Sequence, residues 1–192
     1  MLFLIEKIRG VFYNYNGDGM KNIYIILSHS GTIPSKIVKL YTKNKYSHVS
    51  LSLDDKLSEF YSFGRKDINN PLNGGFIIEN KNSLFYKKFK NTNCTIIKLS
   101  ITNDKYDNLI SIIDEYVNNK DIYKYDFIGL ILRVIHVKFN RKNYSYCTKF
   151  LKMVLEESEV YNFNKDFINP DTFLDIPNVE IIYTGKLREL EV

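Results

Sequence analysis

Cys147 has the greatest capacity for covalent chemistry in this sequence, and it lies near the start of a segment with helical periodicity, residues 145–157. The inward face of that helix is formed by Phe150, Leu151, Val154 and Leu155. Ser145 suits the N-cap position, which places Cys147 in the first turn. There the free amides and the helix dipole stabilise a thiolate, so we expect a lowered thiol pKa and a nucleophile. A buried structural cysteine is the alternative interpretation, and the sequence leaves both open.

His48 is the candidate base, because it opens an alternating segment, residues 48–53, that is typical of a strand. Alternation turns the apolar residues of this strand toward the core and leaves His48, Ser50 and Ser52 on the opposite, polar face. A histidine at the end of a strand can reach a neighbouring helix start and accept a proton there. An exposed surface histidine is the alternative. The periodicity alone does not show whether His48 meets Cys147.

The elements that must hold these two residues follow no regular βαβ pattern. Strands are predicted over 23–27, 48–53, 59–63, 76–78, 94–101 and 179–184. Helices are predicted over 1–13, 34–43, 104–118, 125–137 and 145–157. Hairpins followed by helices indicate an α+β fold in which a central antiparallel sheet packs against helices. We expect a single domain over 1–192, with an N-terminal helix and turn in 1–20 that dock on a body formed by 21–192.

The chain carries a net charge of +5, but its basic residues are scattered. The densest group, Lys87, Lys88 and Lys90, lies beside aromatic residues and is explained by a solvated edge. We therefore expect no specific nucleic-acid partner and only weak, salt-sensitive binding. The apolar stretch Phe127–Val137 is interrupted by Arg133 and is far shorter than the ~20 residues of a membrane span. Weak contact with a membrane surface stays open.

The remaining features argue against a metal, a cofactor or a disulfide framework. Two cysteines and no secretory signal at the start of the chain favour a reducing, cytoplasmic location, and Cys94, in a predicted strand, is expected to be inert. Residues 14–18 imitate the start of a calcium loop, but Ile25 stands where the bidentate Glu is needed. The histidines lack metal-ligand spacing with either cysteine. His29 either borders the cleft or lies in a surface loop. The oligomeric state is left open.

Three segments carry a recognisable pattern, in the order Tyr46-Ser47-His48-Val49-Ser50-Leu51, Tyr61-Ser62-Phe63-Gly64-Arg65 and Tyr146-Cys147-Thr148-Lys149-Phe150-Leu151. Together they resemble the circularly permuted NlpC/P60 (papain-like) superfamily, closest to bacterial YycO- and YiiX-like proteins. The likeness covers about 23–190 and includes the ending Ile168-Asn169-Pro170-Asp171-Thr172-Phe173. Ordinary papain-like enzymes place the cysteine helix before the histidine strand, and the permuted ones place it after, as here. The resemblance implies Cys147 as nucleophile and His48 as base.

The resemblance also implies a polar residue, commonly Glu, that orients the imidazole from the strand paired with the histidine strand. Glu59 is the carboxylate on that strand, but a turn near residues 55–56 pairs it with Ser52, about 13 Å along the strand from His48 at ~3.3 Å per residue. Residues 62–64 lie across from His48 instead. Ser62 is therefore the candidate third member, with Glu59 and Glu79 as alternatives.

These features predict a thiol hydrolase or acyltransferase that cleaves an amide, thioester or ester bond. The resemblance suggests small peptides such as cell-wall fragments, or acyl groups, as substrates. Cys147 would attack the carbonyl carbon while His48 accepts and returns a proton, so we expect their side chains within hydrogen-bond reach. Two alternatives stay open: a non-catalytic binding domain that keeps the papain-like cleft, and a lipid-acting enzyme at a membrane surface.

Overall fold

The computed structural model describes residues 19–30, 45–70 and 72–191, and the structural statements below concern these ranges. The helices predicted over 1–13 and 34–43 and the turn over 14–18 lie outside them. The strands are β1 (Met20–His29), β2 (His48–Ser52), β3 (Phe60–Arg65), β4 (Gly74–Glu79), β5 (Asn93–Thr102), β6 (Lys124–Tyr125), β7 (Tyr144–Ser145) and β8 (Glu180–Lys186). The α-helices are α1 (Leu84–Lys88), α2 (Asn103–Asn118), α3 (Phe127–Val134) and α4 (Cys147–Glu157), and short 3-10 helices span Pro170–Asp175 and Leu187–Glu189.

Six of these strands form one antiparallel sheet in the order β4-β3-β2-β1-β5-β8. The long strand β1 lies at its centre, with β2 and β5 as neighbours. Ser28 near the end of β1 is opposite both His48 on β2 and Cys94 on β5. A separate pair, β6 and β7, is parallel and leads into α3 and α4. The sheet therefore brings the histidine strand next to its central strand.

Both faces of the sheet are covered. On one face α2 and α4 bury a large apolar cluster that includes Val49, Leu51 and Phe150. On the other face a smaller cluster includes Ile26, Cys94 and Tyr86, the last of these from α1. A sheet buried on both sides explains the near-continuous apolar run in β1, because neither set of alternating side chains meets water. The face that we expected to be polar in β2 is thus also buried, and Ser50 and Ser52 are 1% and 0% exposed.

The architecture confirms an α+β fold with a central antiparallel sheet packed against helices. The predicted strands appear with bounds shifted by a few residues. The predicted helix over 125–137 is shorter, because His136 adopts a left-handed φ of 58° and ends α3. The amides of His136 and Val137 bond back to Arg133 and Leu132, as in a Schellman C-cap. No helix within the described ranges is long and apolar enough to cross a bilayer.

Removal of an aromatic ring from the main core should cost far more stability than removal of an exposed apolar side chain. Phe150 is fully buried and packs its ring against Phe63, Phe76 and Tyr116, with centroid distances of 5.0–5.6 Å. We expect Phe150→Ala to lower the free energy of unfolding by about 3–5 kcal/mol. Ile131 is 69% exposed on α3, so Ile131→Ala should change it by only about 0.5 kcal/mol. Urea unfolding measures both; comparable losses would contradict this packing.

Candidate active site

Cys147 lies in the first turn of α4, as the sequence predicts, but it is the first residue of the helix and the N-cap is not Ser145. Tyr146 holds that position in an extended conformation and makes no side-chain capping bond, while Ser145 belongs to β7. The first helical hydrogen bond runs from the Phe150 amide to the Tyr146 carbonyl at 2.9 Å. A tyrosine ring offers no acceptor to the first amides of the helix. Those amides therefore remain for another acceptor, and the Cys147 sulfur is next to them.

The environment of the thiol combines burial with positive potential. Cys147 is 6% exposed, and burial raises its thiol pKa. The backbone amides of Val49, Thr148 and Cys147 and the guanidinium of Arg133 act in the opposite direction, because each favours the thiolate. Burial is the larger effect, so our expectation of a lowered thiol pKa is wrong. The resting sulfur is a neutral thiol surrounded by groups that would stabilise negative charge.

The approach of Val49 to the thiol depends on a short ladder between β2 and β3. Leu51 pairs with Tyr61 in that ladder. Beyond this pair the Ser62 hydroxyl donates to the Val49 carbonyl oxygen at 2.6 Å. Ser62 therefore holds the Val49–Ser50 peptide, which is next to the His48–Val49 peptide whose amide acts on Cys147. The Ser62 proton goes to that carbonyl, but the hydroxyl oxygen can still accept a hydrogen bond, so the role of Ser62 in orienting the His48 imidazole stays a prediction.

His48 is the first residue of β2, and its side chain turns away from α4. Alternation places Val49 on the face that α4 covers and His48 on the other face, beside Ser28. The His48 Cε1 lies against Gly64, 3.7 Å from where a Cβ on that glycine would be. Burial lowers the pKa of His48 to about 4, so the imidazole is neutral at pH 7.

The structure thus brings Cys147 to the residue that follows His48, but not to the imidazole itself. The thiol is influenced by the amide of Val49, and His48 is not among the groups that shift the thiol pKa. The expected direct approach is therefore not made, because α4 packs on the Val49 face of β2. One peptide of β2 separates the two side chains. The register confirms that residue 64 lies across from His48, since Leu51 pairs with Tyr61.

The two alternative carboxylates do not orient the imidazole. Glu59 accepts a hydrogen bond from the Tyr61 hydroxyl. Glu79 on β4 is opposite Phe60, four residues along β3 from Gly64, or about 13 Å at ~3.3 Å per residue. Burial raises the pKa of Glu79 to about 7, and its carboxylate accepts from Tyr86 at 3.1 Å. Both carboxylates serve other contacts.

Arg133 is a site residue that the sequence analysis noted only as an interruption in an apolar run. It reaches from α3, with its Nη2 bonded to the Ile168 carbonyl at 2.7 Å and also to the Asn169 side chain. Its guanidinium lies over the Tyr146 ring at 5.8 Å from the centroid. A charged side chain inside an apolar segment was the available signal, because burying it requires partners. Those partners hold the cation near Cys147.

The segment that follows Asn169 fixes the entrance to β2. The Asp171 carboxylate accepts hydrogen bonds from the amides of Lys45 and Tyr46, at 2.7 and 3.0 Å. His29, which lies at the end of β1 rather than in a loop, contacts the Ser47 hydroxyl through Nδ1 at 3.1 Å. These bonds tie the residues just before His48 to β1 and to the 3-10 helix. The position of His48 therefore depends on three separate parts of the chain.

The environment of Cys94 is that of a shielded thiol, as the sequence predicts. Cys94 is 1% exposed, and burial raises its thiol pKa to about 12. Both cysteines are free. Within the described ranges, no group of three or more His, Cys, Asp or Glu side chains is arranged to hold a metal ion.

Alkylation should separate the two thiols. We expect iodoacetamide to label Cys147 faster than Cys94, because the amides and Arg133 oppose burial at Cys147 alone. The Cys147 rate should still rise above pH 9.0, its ordinary thiol pKa, since the real one is higher. Arg133→Met should slow the labelling by removing a cation that favours the thiolate, and exposed Lys142→Met should not. Peptide mass spectrometry gives both rates. A Cys147 rate that is flat above neutrality, or indifferent to Arg133, would contradict this electrostatic account.

The comparisons with known proteins add no assignment. No family model matches the chain, and no curated protein matches it. The likeness to the permuted NlpC/P60 superfamily therefore stays a prediction from the three segments around His48, Ser62 and Cys147. The function has to be argued from the geometry of the described residues.

Proposed function

We propose that the chain is a cysteine hydrolase or acyltransferase that acts on an amide, thioester or ester bond, with Cys147 as its nucleophile. The observation that carries this proposal is the position of the Cys147 thiol at an uncapped helix start, facing three amides and the Arg133 guanidinium. Amides and a cation gathered around a buried sulfur form a place where negative charge is stabilised. Both free cysteines suit a reducing compartment, and we place the activity in the cytoplasm.

The proposed reaction proceeds in two balanced halves. The Cys147 proton passes to His48, and the sulfur attacks the carbonyl carbon of the substrate to give a tetrahedral oxyanion. The oxyanion collapses, the bond to the amine, alcohol or thiol breaks, and His48 returns the proton to that leaving group. Water, or another acceptor, then attacks the thioester; His48 takes its proton, the carbon–sulfur bond breaks, and the proton passes to the Cys147 sulfur. The amides of Cys147 and Thr148 are the groups placed to stabilise the oxyanion.

The base is the part of this mechanism that needs movement. The imidazole must reach the thiol proton past the peptide that joins it to Val49. The space beside Gly64 offers no free path, because the Ile77 side chain fills it. Catalytic hydrogen bonds of free enzymes are often formed only in the complex with substrate. If the neutral thiol and the neutral imidazole never come into contact, the chain is instead a non-catalytic binding domain. The enzyme and the binding domain can be told apart by whether turnover depends on His48.

Turnover of small acyl and peptide substrates should require both residues. We expect Cys147→Ala to abolish hydrolysis and His48→Gln to lower kcat/KM by about 100-fold or more, within the usual range for a general base. Because the thiol pKa is raised and that of His48 is about 4, kcat/KM should climb with pH well above neutrality. Cys94→Ala is the control and should keep full activity. Because the substrate is unknown, labelling of Cys147 by an acyl-directed fluorescent probe serves as a second readout. We expect labelling of the wild-type protein and its loss in Cys147→Ala.

If His48→Gln retains hydrolysis, His48 is not the base, although Cys147 can still be the nucleophile. Absence of turnover and of probe labelling in a folded wild-type protein would favour the binding-domain alternative. Circular dichroism of each variant separates these outcomes from loss of the fold.

One observation favours a second candidate, a lipid-acting enzyme at a membrane surface. Ile128, Ile131 and Ile135 are 50%, 69% and 65% exposed at helical spacing along α3 and its C-cap. The basic residues Lys138 and Lys142 follow in the chain, so an apolar stripe borders positive charge. Such a combination suits the interface of an anionic lipid surface. The same helix carries Arg133, so this surface would bring lipid close to Cys147.

Vesicle flotation tests this candidate. We expect the wild-type chain to bind vesicles that contain anionic lipid and to bind more weakly as salt rises, because surface charge is screened. Ile131→Asn should abolish binding. Ile181→Asn is the matched control, since Ile181 is 61% exposed on β8 and should make no contribution. Equal losses in both variants, or no binding at low salt, would rule out docking through α3.

A further inference from the structure

A pocket of about 230 Å³ opens beside the start of α4. Tyr146 and Thr148, the residues on either side of Cys147, line it together with residues of the loop after α3. Cys147 itself is not among the lining residues, but the Cα of Thr148 follows that of Cys147 by ~3.8 Å, so the first turn of α4 joins the pocket to the thiol. Sites for drug-sized ligands occupy about 300–1,000 Å³. This smaller pocket fits one group about the size of an amino-acid residue.

The charged side chains that line the pocket are three lysines and one aspartate: Lys138, Lys149, Lys152 and Asp166. Lys138 pairs with Asp166 at 2.7 Å, and Lys152 pairs with Glu156 at 2.5 Å. Lys149 has no carboxylate within ion-pair distance among the residues that the structure describes. Asp126 acts on it electrostatically, but that carboxylate is bound by Arg141 and by the Gly129 amide. The pocket thus contains a cation that no neighbouring carboxylate neutralises.

Thr148 adds an unused polar group to the same wall. Thr148 is 2% exposed, and its hydroxyl has no hydrogen-bond partner in the part of the chain that is described. Burial of a hydroxyl without a partner costs free energy, so such a group in a binding pocket points to a missing ligand atom. The lining also includes the apolar and aromatic residues Val137, Phe139 and Phe167. A ligand with a negative end and a short apolar body would complement this mixed lining.

We infer that this pocket binds a carboxylate or phosphate of the substrate, held by Lys149 and Thr148, within about one residue of the bond that Cys147 attacks. The inference rests on the proposed function for its link to the scissile bond. It names the substrate class: a peptide cleaved next to a residue with a free carboxylate, or a lipid ester cleaved next to its phosphate. Both sources share an anion close to the reacting carbonyl.

Anion binding can be measured without turnover. We would titrate ¹⁵N-labelled Cys147→Ser protein, which cannot form the acyl-enzyme thioester, with acetate and separately with inorganic phosphate at constant ionic strength. The amides of 148–152 should shift and saturate. Lys149→Met should weaken binding about tenfold, as expected for a lost charged hydrogen bond. Lys142→Met removes an exposed lysine outside the pocket and should change the affinity less than about twofold. Absence of saturable shifts at 148–152, or equal effects of the two lysine variants, would overturn the inference.

Turnover measurements then show whether the anion is a peptide carboxylate or a lipid phosphate. They also distinguish failure of the pocket proposal from failure of the hydrolase proposal. Dipeptides with a free C-terminal carboxylate should be cleaved faster than their C-terminal amides, and Lys149→Met should erase that preference. Preference for a lysophospholipid instead, erased by the same substitution, assigns the pocket to a phosphate. Anion binding without any turnover upholds the pocket and removes the hydrolase proposal. Turnover with no preference for an anion, together with flat titrations, removes the pocket and leaves the hydrolase.

Discussion

The start of α4 lies against the end of the β2–β3 pair, and the chemistry of the site depends on this contact. The Cys147 side chain is buried from solvent and faces the Val49 amide as well as the amides of its own helix. Burial disfavours the charged thiolate, whereas the amides and Arg133 favour it. Low local dielectric strengthens both effects, because charges and dipoles act over less screening there. A site of this kind keeps its nucleophile neutral at rest and still provides groups for an oxyanion.

The contact is held by apolar packing rather than by polar bonds of α4 itself. The Phe150 ring packs among Phe63, Phe76 and Tyr116, one from each of β3, β4 and α2. Aromatic pairs of this geometry contribute about 0.5–1.5 kcal/mol each beyond the burial of their area. Because Phe150 is one turn along from Cys147, this cluster fixes the helix start against β2. The position of the Cys147 thiol is therefore set by the core, and residues distant from the thiol determine its surroundings.

The sequence predicts the elements well because hydrophobic spacing and strand alternation are local properties. The sheet strands and the helix over 147–157 follow from such patterns. The pattern in β2 was misread, since alternation of serine with apolar residues suggested a solvent face, whereas α1 and the chain end cover it. The short strands β6 and β7 carry no period of their own and were missed. Their pairing follows from tertiary packing, which local spacing does not contain.

The site was harder to predict than the fold for a related reason. Cys147 and His48 could be chosen by residue type and by their positions at the ends of secondary-structure elements. Which face of a strand a helix covers, however, is decided by tertiary packing. Arg133 reaches the site from an apolar helix, bound to the Ile168 carbonyl and to Asn169. The spacing of residues along the sequence gives no sign that Arg133 lies near Cys147 or Asn169. The thiol pKa, raised by burial, also depends on these distant partners.

The raised thiol pKa has a kinetic consequence that constrains any enzyme built on this site. Each unit by which a thiol pKa rises above the ambient pH lowers the thiolate fraction about tenfold. The thiolate that remains is only about threefold more nucleophilic per unit, given a Brønsted coefficient near 0.4–0.5. Burial therefore costs rate in the ground state. The amides of Cys147 and Thr148, and the Arg133 charge, can recover that rate only where negative charge develops in the transition state. In the proposed enzyme, substrate positioning would be the remaining source of rate, and the proposed anion pocket with Lys149 would supply it.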